Sequence, residues 1–311
     1  METSDDRRRT TWPAGLSDRE GCGVCRGDVL AVRYNAEIPI MGIETCLQNR
    51  RGYASRVRKR KGELPPMNDV IRTMMAHRSI RKFQDRPVME ETVGDTVAAA
   101  QCASTSNFVQ AYTIIRVTDQ EKRRVLAELA GNQTWVEECP LFLVFCADLN
   151  RLDRACTKLG KEMVRGYTEQ FIVATVDAAL IAQNTMLAAE SMGLGGVYIG
   201  GIRNDPQTVC DLLHIPDGVY PVFGMCLGYP DHDPEVKPRL PLGVVLKEDG
   251  YTGDGDEALI GIYDDVTSDY YKRRTSNKKD DSWSQQVSEL VSRVSRPHMR
   301  AFLRGKGFAM K

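Results

Sequence analysis

One short segment combines two guanidinium groups, an imidazole and a hydroxyl: His77-Arg78-Ser79-Ile80-Arg81. Arginine suits phosphate because its planar fork donates two parallel, charge-assisted hydrogen bonds to phosphate oxygens, and a serine hydroxyl adds a neutral donor. The same cations would also suit the last turn of a solvated helix, where they complement the helix dipole. The segment therefore predicts either a phosphate site or the exposed end of a helix.

A second basic element, Lys237-Pro238-Arg239-Leu240-Pro241, lies in a loop bounded by prolines. Proline fixes the dihedral φ and lacks an N–H donor, which excludes this segment from a helix interior or a central strand. A stiff loop of this kind can hold its charges in place. If it meets the first segment, their arginine and lysine side chains would form an anion site, but the sequence alone does not show that they meet.

Other kinds of chemistry find little support in the sequence. The histidines at 77, 214, 232 and 298 are scattered, and there is no Ser-His-Asp order, HExxH helix or P-loop. Asp231-His232-Asp233 alternates beside two prolines, which is more typical of an exposed loop than of a metal site. Cations, hydroxyls and glycines remain, and they suit an organic cofactor that performs the chemistry itself. We therefore expect neither a catalytic side chain nor a metal.

The composition is that of a neutral, globular protein. The 311 residues include 42 Lys and Arg against 42 Asp and Glu, and 42% are hydrophobic. The hydrophobic fraction is enough to bury a core in one large or two ordinary domains. Because the charges balance, the protein as a whole has no net positive charge to attract nucleic acid or an anionic membrane. The most apolar long segment, 171–192, contains charged and amide side chains, so it predicts a buried helix and not a membrane span.

The cysteines and the first residues of the chain predict the cellular compartment of the protein. The nine cysteines are odd in number, and several lie in apolar runs, which favours reduced thiols over a disulfide framework. Residues 1–9 are polar and charged, with no apolar stretch behind them to form a secretory signal. Together these features predict a cytoplasmic protein.

Residues 1–66 differ from the rest of the chain because their hydrophobic periodicity is poor. They hold thirteen Lys or Arg against nine Asp or Glu, a net charge of +4, with basic residues gathered at 7–9 and 50–61. We expect a disordered extension, or an addition that precedes a natural start at Met67. The alternatives are a nucleic-acid-binding arm at 50–61 and a zinc or redox role for Cys22-Gly23-Val24-Cys25.

Beyond this extension, periodicity and capping signals predict alternating helices and strands. Helices are expected from Asn68, over 90–102, 119–129 and 162–192, from Asn204-Asp205-Pro206, and over 254–273 and 282–303. Strands are expected over 112–118, 141–147 and 220–227, and between the glycines of 193–201. Those glycines do not link a strand to a helix, so they lack the context of a dinucleotide-binding fingerprint. Glycine instead permits a flat ring to lie close to the backbone.

Several separated motifs resemble one family. In order along the chain they are 77–81 with Phe83, 104–110, Gln133, 193–203, 223–228 and 237–241. Together they resemble the NADPH-dependent, oxygen-insensitive nitroreductases and the NADPH-flavin oxidoreductases. The resemblance covers roughly residues 67–311, including Trp283 and Arg296-Pro297, and nothing in residues 1–66 belongs to it.

The resemblance implies a non-covalently bound FMN with NADPH as reductant. On the phosphate and ribityl side it implies His77, Arg78, Ser79, Ile80 and Arg81, with Lys237, Pro238 and Arg239 completing the anion site. Around the isoalloxazine ring it implies Thr105, Gln133, Tyr198, Ile199, Gly200 and Gly201. For the 2′-phosphate of NADPH we expect Arg274, with Arg203 as the second candidate. Lys278-Lys279-Asp280 replaces a more Arg-rich run, which weakens the expected preference for NADPH over NADH.

The resemblance also implies a fold and a reaction. The fold would be α+β, with a mainly antiparallel central sheet flanked by helices, a single domain over 67–311 with a C-terminal helical arm, and an intertwined homodimer. The reaction would be two-electron reduction of nitroaromatics, quinones or related acceptors by alternating half-reactions. A flavin reductase that releases reduced FMN would use the same site. A nucleic-acid-binding protein acting through 50–61 is the alternative of another class.

Overall fold

The structure is a computed structural model that describes residues 68–274, 278–308 and 311. The predicted disordered extension lies outside the described residues, as do the Cys22 and Cys25 pair and the basic arm at 50–61. All of the residues predicted to bind FMN or NADPH lie within the described ranges.

A four-stranded sheet forms the centre of the fold. Its strands are β1 (Tyr112–Arg116), β2 (Leu141–Asp148), β3 (Gly195–Ile199) and β4 (Val219–Gly228). Their order is β1-β2-β4-β3, and every neighbouring pair is antiparallel, which confirms the predicted type of sheet. Because β3 is the last strand in this order, its outer edge is available to another segment of the chain.

Helices and two 3-10 turns surround the sheet. In chain order the helices are α1 (Asp69–Met75), α2 (Glu90–Ala100), α3 (Gln120–Leu129), α4 (Trp135–Glu138), α5 (Asn150–Lys158), α6 (Thr168–Ser191), α7 (Pro206–Leu213), α8 (Leu242–Val245), α9 (Asp256–Arg273), α10 (Trp283–Val291) and α11 (Met299–Gly305). The 3-10 turns are Ser106–Phe108 and Gly200–Arg203. Side chains cap several N-termini as predicted, including Asn68 before α1, Asp119 before α3 and Asp205 before α7.

Strand β2 separates two hydrophobic cores, and all eight of its residues are buried. Successive side chains of a strand point to opposite faces, so the odd and even positions enter different cores. Leu141, Leu143, Phe145 and Ala147 pack in the core shared with α6, and Phe142, Val144 and Cys146 pack in the core shared with α3 and α7. The apolar run that predicted this strand is continuous because helices cover both of its faces.

Helix α6 is long and apolar enough to cross a membrane by length and composition, with a mean hydropathy of 1.5. Its buried face nevertheless includes Asp177 and Thr185 and packs against the sheet. The carboxylate of Asp177 accepts backbone hydrogen bonds from Ser106 at 3.1 Å and from Ala111 at 3.0 Å. A buried carboxylate that fixes a neighbouring loop is a feature of a core helix, as predicted for this segment.

Two predicted helix boundaries were wrong. The helix expected over 162–192 begins at Thr168, because Gly166 has φ +88° and the side chain of Gln170 caps the backbone N–H of Tyr167. The helix expected over 282–303 is divided into α10 and α11. Pro297 has no N–H to continue a helix and disfavours right-handed helical backbone at the residue before it. Arg296 has φ +49°, which also lies outside the right-handed helical region.

Candidate functional site

The segment of residues 77–81 lies along the open edge of β3. Ser79 forms an isolated parallel bridge with Gly196, and the N–H of Ile80 donates to the carbonyl of Gly196 at 2.9 Å. The side chain of Ile80 is buried, so the segment is anchored through this residue. Alternation along an extended backbone then leaves Ser79 and Arg81 on the side opposite to Ile80.

Glycines let this segment approach the sheet. A Cβ atom on Gly195 would lie 2.5 Å from Cγ1 of Ile80, and one on Gly196 would lie 2.5 Å from the carbonyl oxygen of Cys226. A Cβ on Gly201 would overlap the carbonyl oxygen of Ala130. These glycines therefore have packing reasons of their own, and the approach of a ring to Gly201 remains a prediction.

Two basic side chains of the segment already have acidic partners. Nδ1 of His77 lies 2.6 Å from Oε1 of Glu190 in the last turn of α6, and both side chains are largely buried. Arg78 forms an ion pair with Asp233 and donates through Nη1 to the carbonyl of Ala76 at 3.0 Å. Its Nε is buried without a hydrogen-bond partner among the described residues. Neither carboxylate was predicted as part of the site.

Six other basic side chains form what we call the cation cluster: Arg81, Lys237, Arg239, Arg274, Lys278 and Lys279. Four of them, Arg81, Arg274, Lys278 and Lys279, line a cavity of about 410 Å³ together with Tyr271 and Gln286. The other two belong to the proline-bounded loop, which approaches the same tyrosine. The sequence left open whether the two basic elements meet. In the structure both reach Tyr271, Arg81 through the lining of the cavity and Lys237 over the ring, and residues after α9 are a third contributor.

The ring of Tyr271 connects the parts of the cation cluster. Nζ of Lys237 lies 5.3 Å from the ring centroid, and Cζ of Arg274 lies 5.5 Å from it. Arg239 donates through Nη1 to the carbonyl of Lys237 at 3.3 Å, and Tyr263 donates to the carbonyl of Pro238 at 2.9 Å. Cations over aromatic faces gain about 0.5 to 2 kcal/mol, which offsets part of their mutual repulsion.

The cation cluster has no acidic counterpart within the part of the chain that the structure describes. No ion pair there joins any of its six members to an Asp or Glu side chain. Desolvation of the guanidinium, and then the charge of Arg274, lower the pKa of Arg81. An anion in the cavity would relieve this repulsion and would be held by several donors.

The residues predicted around a flavin ring make polar contacts within the protein. Oγ1 of Thr105 accepts from the N–H of Gln110 at 3.3 Å, and Nε2 of Gln133 donates to the carbonyl of Ala130 at 2.8 Å. The hydroxyl of Tyr198 donates to Gln183 at 3.4 Å. Burial, and then the charge of Glu190, raise the pKa of Tyr198, so this hydroxyl keeps its proton.

The loop that carries Thr105 has an unusual backbone. Asn107, Phe108 and Gln110 all have positive φ, between 47° and 57°. Non-glycine residues adopt this conformation at a cost, and here the carboxylate of Asp177 holds both ends of the loop. The side chain of Phe108 is 80% exposed, although it is a large aromatic group. The loop thus exposes the apolar ring of Phe108 on the surface of this chain.

Arg203 and Arg274 have different surroundings. Arg274 lies in the cation cluster beside Arg81, whereas Nη1 of Arg203 donates to the carbonyl of Val222 in β4. Burial, and then the charge of Arg296, lower the pKa of Arg203. Sequence reasoning did not include Tyr271, Gln286 or Glu190 in the site, although the adjacent aromatic pair Tyr270-Tyr271 just before Arg274 was a visible signal.

Comparison with known proteins gives a consistent result for most of the chain. Residues 74–229 match the model of the nitroreductase family, and residues 237–311 match the model of the nitroreductase family's C-terminal domain. An NADPH-flavin oxidoreductase of Vibrio harveyi is 46% identical over 245 residues, which are 79% of this chain and 100% of that protein. An FMN reductase (NADPH) of Bacillus subtilis is 44% identical over 246 residues, 78% of this chain and 99% of that protein.

A solved structure agrees with these relatives. The crystal structure of nitroreductase A from Vibrio parahaemolyticus has a TM-score of 0.73 at 46% identity, covering 79% of this chain and 100% of its own. The predicted α+β nitroreductase-like fold is confirmed by this similarity. From two matching family models and relatives that align over their whole length, it follows that the chain belongs to the nitroreductase family.

Proposed function

We propose that this chain is an FMN-dependent oxidoreductase that uses NADPH for the two-electron reduction of nitroaromatics, quinones or related acceptors. Relatives named NADPH-flavin oxidoreductase and FMN reductase (NADPH) support the cofactor and the reductant. The observation that carries the proposal is the cation cluster, which has no acidic partner among the described residues of a chain whose net charge is zero. Both FMN and NADPH bring phosphate groups that such a cluster would bind.

The donor set fits a flavin phosphate. Arg81 and Arg239 offer planar forks, Lys237 a point charge and Ser79 a hydroxyl, and Nε of Arg78 is a buried donor without a partner among the described residues. When bound, FMN supplies the chemistry by taking two electrons from NADPH and passing them to the acceptor. The chain itself would hold the phosphate and orient the ring.

Orientation of the ring is the proposed role of the polar residues next to β3. Thr105 and Gln133 offer a hydroxyl and an amide, and Gly200 and Gly201 offer backbone without side chains. Tyr198 is fixed by its hydrogen bond to Gln183 and by an edge-to-face contact with Phe223 at 5.1 Å between ring centroids. We assign no acid or base role to any side chain.

Recognition of NADPH is proposed for Arg274. Its place in the cation cluster supports this choice over Arg203, whose guanidinium already donates to the carbonyl of Val222. Lys278 and Lys279 would add charge without bidentate geometry, so they would attract the 2′-phosphate with less selectivity than arginine would.

We also infer an intertwined homodimer. Exposed apolar side chains cover α1, namely Val70, Ile71, Met74 and Met75. A further exposed stripe on α6 consists of Ile172, Val176 and Leu180, which recur every fourth residue and so share one helix face. Contiguous apolar surface of this kind is typical of an interface, and a second copy of the chain would cover it.

Residues 67–311 are proposed to form a single FMN domain with a C-terminal helical arm, preceded by an extension at 1–66. The proposed location is the cytoplasm. The six cysteines at positions 102, 139, 146, 156, 210 and 226 are free, in keeping with a reducing compartment.

A flavin reductase that releases its reduced product is the second candidate, favoured by the name of the Bacillus relative. The two candidates differ in whether FMN behaves as a retained cofactor or as a substrate. Gel filtration after anaerobic reduction by NADPH separates them, because a retained cofactor elutes with the protein and a released product elutes later.

The experiment that tests the proposal is an anaerobic titration of the purified full-length protein, followed by its visible absorbance. We expect a yellow protein that bleaches on addition of NADPH and recovers on addition of a nitroaromatic. A colourless protein that takes up no added FMN would overturn the proposal.

A further inference from the structure

One carboxylate holds both ends of the loop that joins α2 to β1. Oδ1 of Asp177 accepts from the N–H of Ser106 at 3.1 Å, and Oδ2 accepts from the N–H of Ala111 at 3.0 Å. The two oxygens of a single side chain thus bridge two separate positions of the backbone. Asp177 lies on the buried face of α6 and is 1% exposed.

The bridge requires a carboxylate in particular. In the described part of the chain no Lys, Arg or His side chain forms an ion pair with Asp177, so the two backbone N–H groups are what stabilise its buried charge. A carboxylate offers two acceptor oxygens. The amide of asparagine offers one oxygen and one NH₂ donor, which would face an N–H group. Asparagine at this position could therefore satisfy one end of the loop and not both.

The bridged loop has a costly backbone conformation. Asn107, Phe108 and Gln110 have φ of 47°, 57° and 51°. Asparagine tolerates this left-handed region, but phenylalanine and glutamine adopt it at a cost. A loop that served merely to join α2 to β1 would be free to adopt conformations of lower energy. A costly conformation that is maintained by a buried carboxylate indicates that the loop has to place particular groups.

One group that the loop places is the hydroxyl of Thr105. Its Oγ1 accepts from the N–H of Gln110 at 3.3 Å, across the loop. A hydroxyl that accepts a hydrogen bond in this way keeps its own O–H to donate. The backbone of Thr105 is extended, and Ser106 begins the 3-10 turn directly after it. Release of Ser106 from Asp177 would therefore free the residue next to Thr105, and the O–H would lose its fixed direction.

We propose that Asp177 is a positioning residue for the flavin ring, which acts through this loop and not by contact with the ligand. This inference rests on the proposed function, in which Thr105 lies beside the isoalloxazine ring. The cation cluster belongs to other elements of the fold. Loss of the bridge should therefore spare the affinity for FMN and lower kcat, because turnover depends on the orientation of the ring.

Amide hydrogen exchange in the full-length, flavin-free protein tests the bridge itself. Asp177→Asn should speed exchange in peptides that contain Ser106 and Ala111 by about tenfold or more, because a hydrogen bond to a charged group is lost. Thr185→Val is the matched control. Thr185 is buried on the same face of α6, and its hydroxyl donates within the helix to the carbonyl of Ile181 at 2.8 Å. Exchange in the loop should be unchanged in this control, and an unchanged rate in Asp177→Asn would refute the bridge.

Flavin titration and steady-state kinetics test what the bridge does. Asp177→Asn should keep Kd for FMN within about threefold of the wild type, because the phosphate site is independent of the loop. Its kcat with a nitroaromatic should fall about tenfold or more. Thr185→Val should change neither value. Equal losses of FMN affinity and kcat in Asp177→Asn, or similar losses in Thr185→Val, would indicate a general defect of the core and would overturn the proposal.

A second variant breaks the bridge from the side of the loop and leaves the core intact. Ser106→Pro removes the N–H that donates to Oδ1 of Asp177. Proline suits the first residue of a helical turn, and the extended backbone of Thr105 suits the residue before a proline. Ser106→Pro should therefore fold, retain FMN and lower kcat as Asp177→Asn does. A wild-type kcat in this variant would contradict the proposal even if Asp177→Asn did not fold.

These experiments separate the positioning role from the proposed function. If the wild-type protein binds no FMN, the proposed function fails and the positioning role falls with it, while hydrogen exchange still shows whether Asp177 holds the loop. If the wild type binds FMN and turns over, a normal kcat in both Asp177→Asn and Ser106→Pro overturns the positioning role alone.

Discussion

The basic residues of this protein fall into two regions that differ in how their charge is balanced. Next to the edge of β3, His77 contacts Glu190 and Arg78 contacts Asp233. In the cation cluster the described residues supply no carboxylate, and Arg81 and Arg274 repel each other. The protein therefore neutralises the first region itself, and we propose that an anionic ligand neutralises the second. Affinity for phosphate should come mostly from the cation cluster, and orientation from the partnered region.

Of the substitutions considered, removal of Arg81 should lower the affinity for FMN the most. Arg81→Ala should weaken FMN binding about 10- to 100-fold, because a charge-assisted hydrogen bond contributes about 1.5 to 3 kcal/mol. Titration of the apoprotein followed by quenching of flavin fluorescence would measure the change. Arg78→Ala is the matched control and should weaken binding less, because the charge of Arg78 is already paired with Asp233. Equal losses of FMN affinity in the two variants would contradict the distinction between the cation cluster and the partnered region.

Removal of Arg274 should act on the reductant and not on the flavin. Arg274→Ala should raise KM for NADPH about tenfold, with KM for NADH and the bound flavin unchanged, since only NADPH carries the 2′-phosphate. Steady-state kinetics with each nucleotide would measure this selectivity. Arg203→Ala is the control. If that variant, and not Arg274→Ala, loses its selectivity, the phosphate site belongs near β4.

The lysines after α9 should contribute less. Lys278 and Lys279 are exposed, and exposed charges in water typically contribute about 0.2 to 1 kcal/mol. Lys278→Ala should therefore raise KM for NADPH by about two- to threefold, and the effect should shrink as salt is added. A change as large as that of Arg274→Ala would mean that the lysine makes a direct phosphate contact.

Removal of a partner carboxylate should have the smallest effect. Asp233 is exposed, so Asp233→Ala should change FMN affinity less than about threefold, and in the direction of tighter binding because Arg78 becomes available. The same fluorescence titration measures it. Weaker binding would show that Asp233 positions Arg78 for its ligand instead of competing with that ligand.

The sequence predicted elements whose signals are local. A continuous apolar run predicted β2, and the caps Asp119 and Asp205 marked the starts of α3 and α7. The short helices α4 and α5 were not predicted, because α5 has no buried residue and α4 has only four residues. Arg296-Pro297 was identified as a motif, but a single helix was predicted across it, and the structure has two.

For the candidate site, the basic motifs were visible in the sequence and their partners were not. His77 and Glu190 are 113 positions apart, and this contact exists only because α6 packs beside β3. The same holds for Arg78 with Asp233 and for Arg81 with Arg274. Tertiary packing decides which basic side chains meet a carboxylate. The sequence motifs alone therefore could not separate the partnered region from the cation cluster.

The central claim is that the cation cluster binds phosphate, and a comparison of FMN with riboflavin tests it most directly. Riboflavin is the same ring and ribityl chain without the phosphate. The full-length apoprotein should bind FMN about 100-fold more tightly than riboflavin, as expected for two charge-assisted contacts of about 1.5 kcal/mol each. Equal affinities for the two flavins would contradict the account, because the phosphate would then contribute nothing to binding.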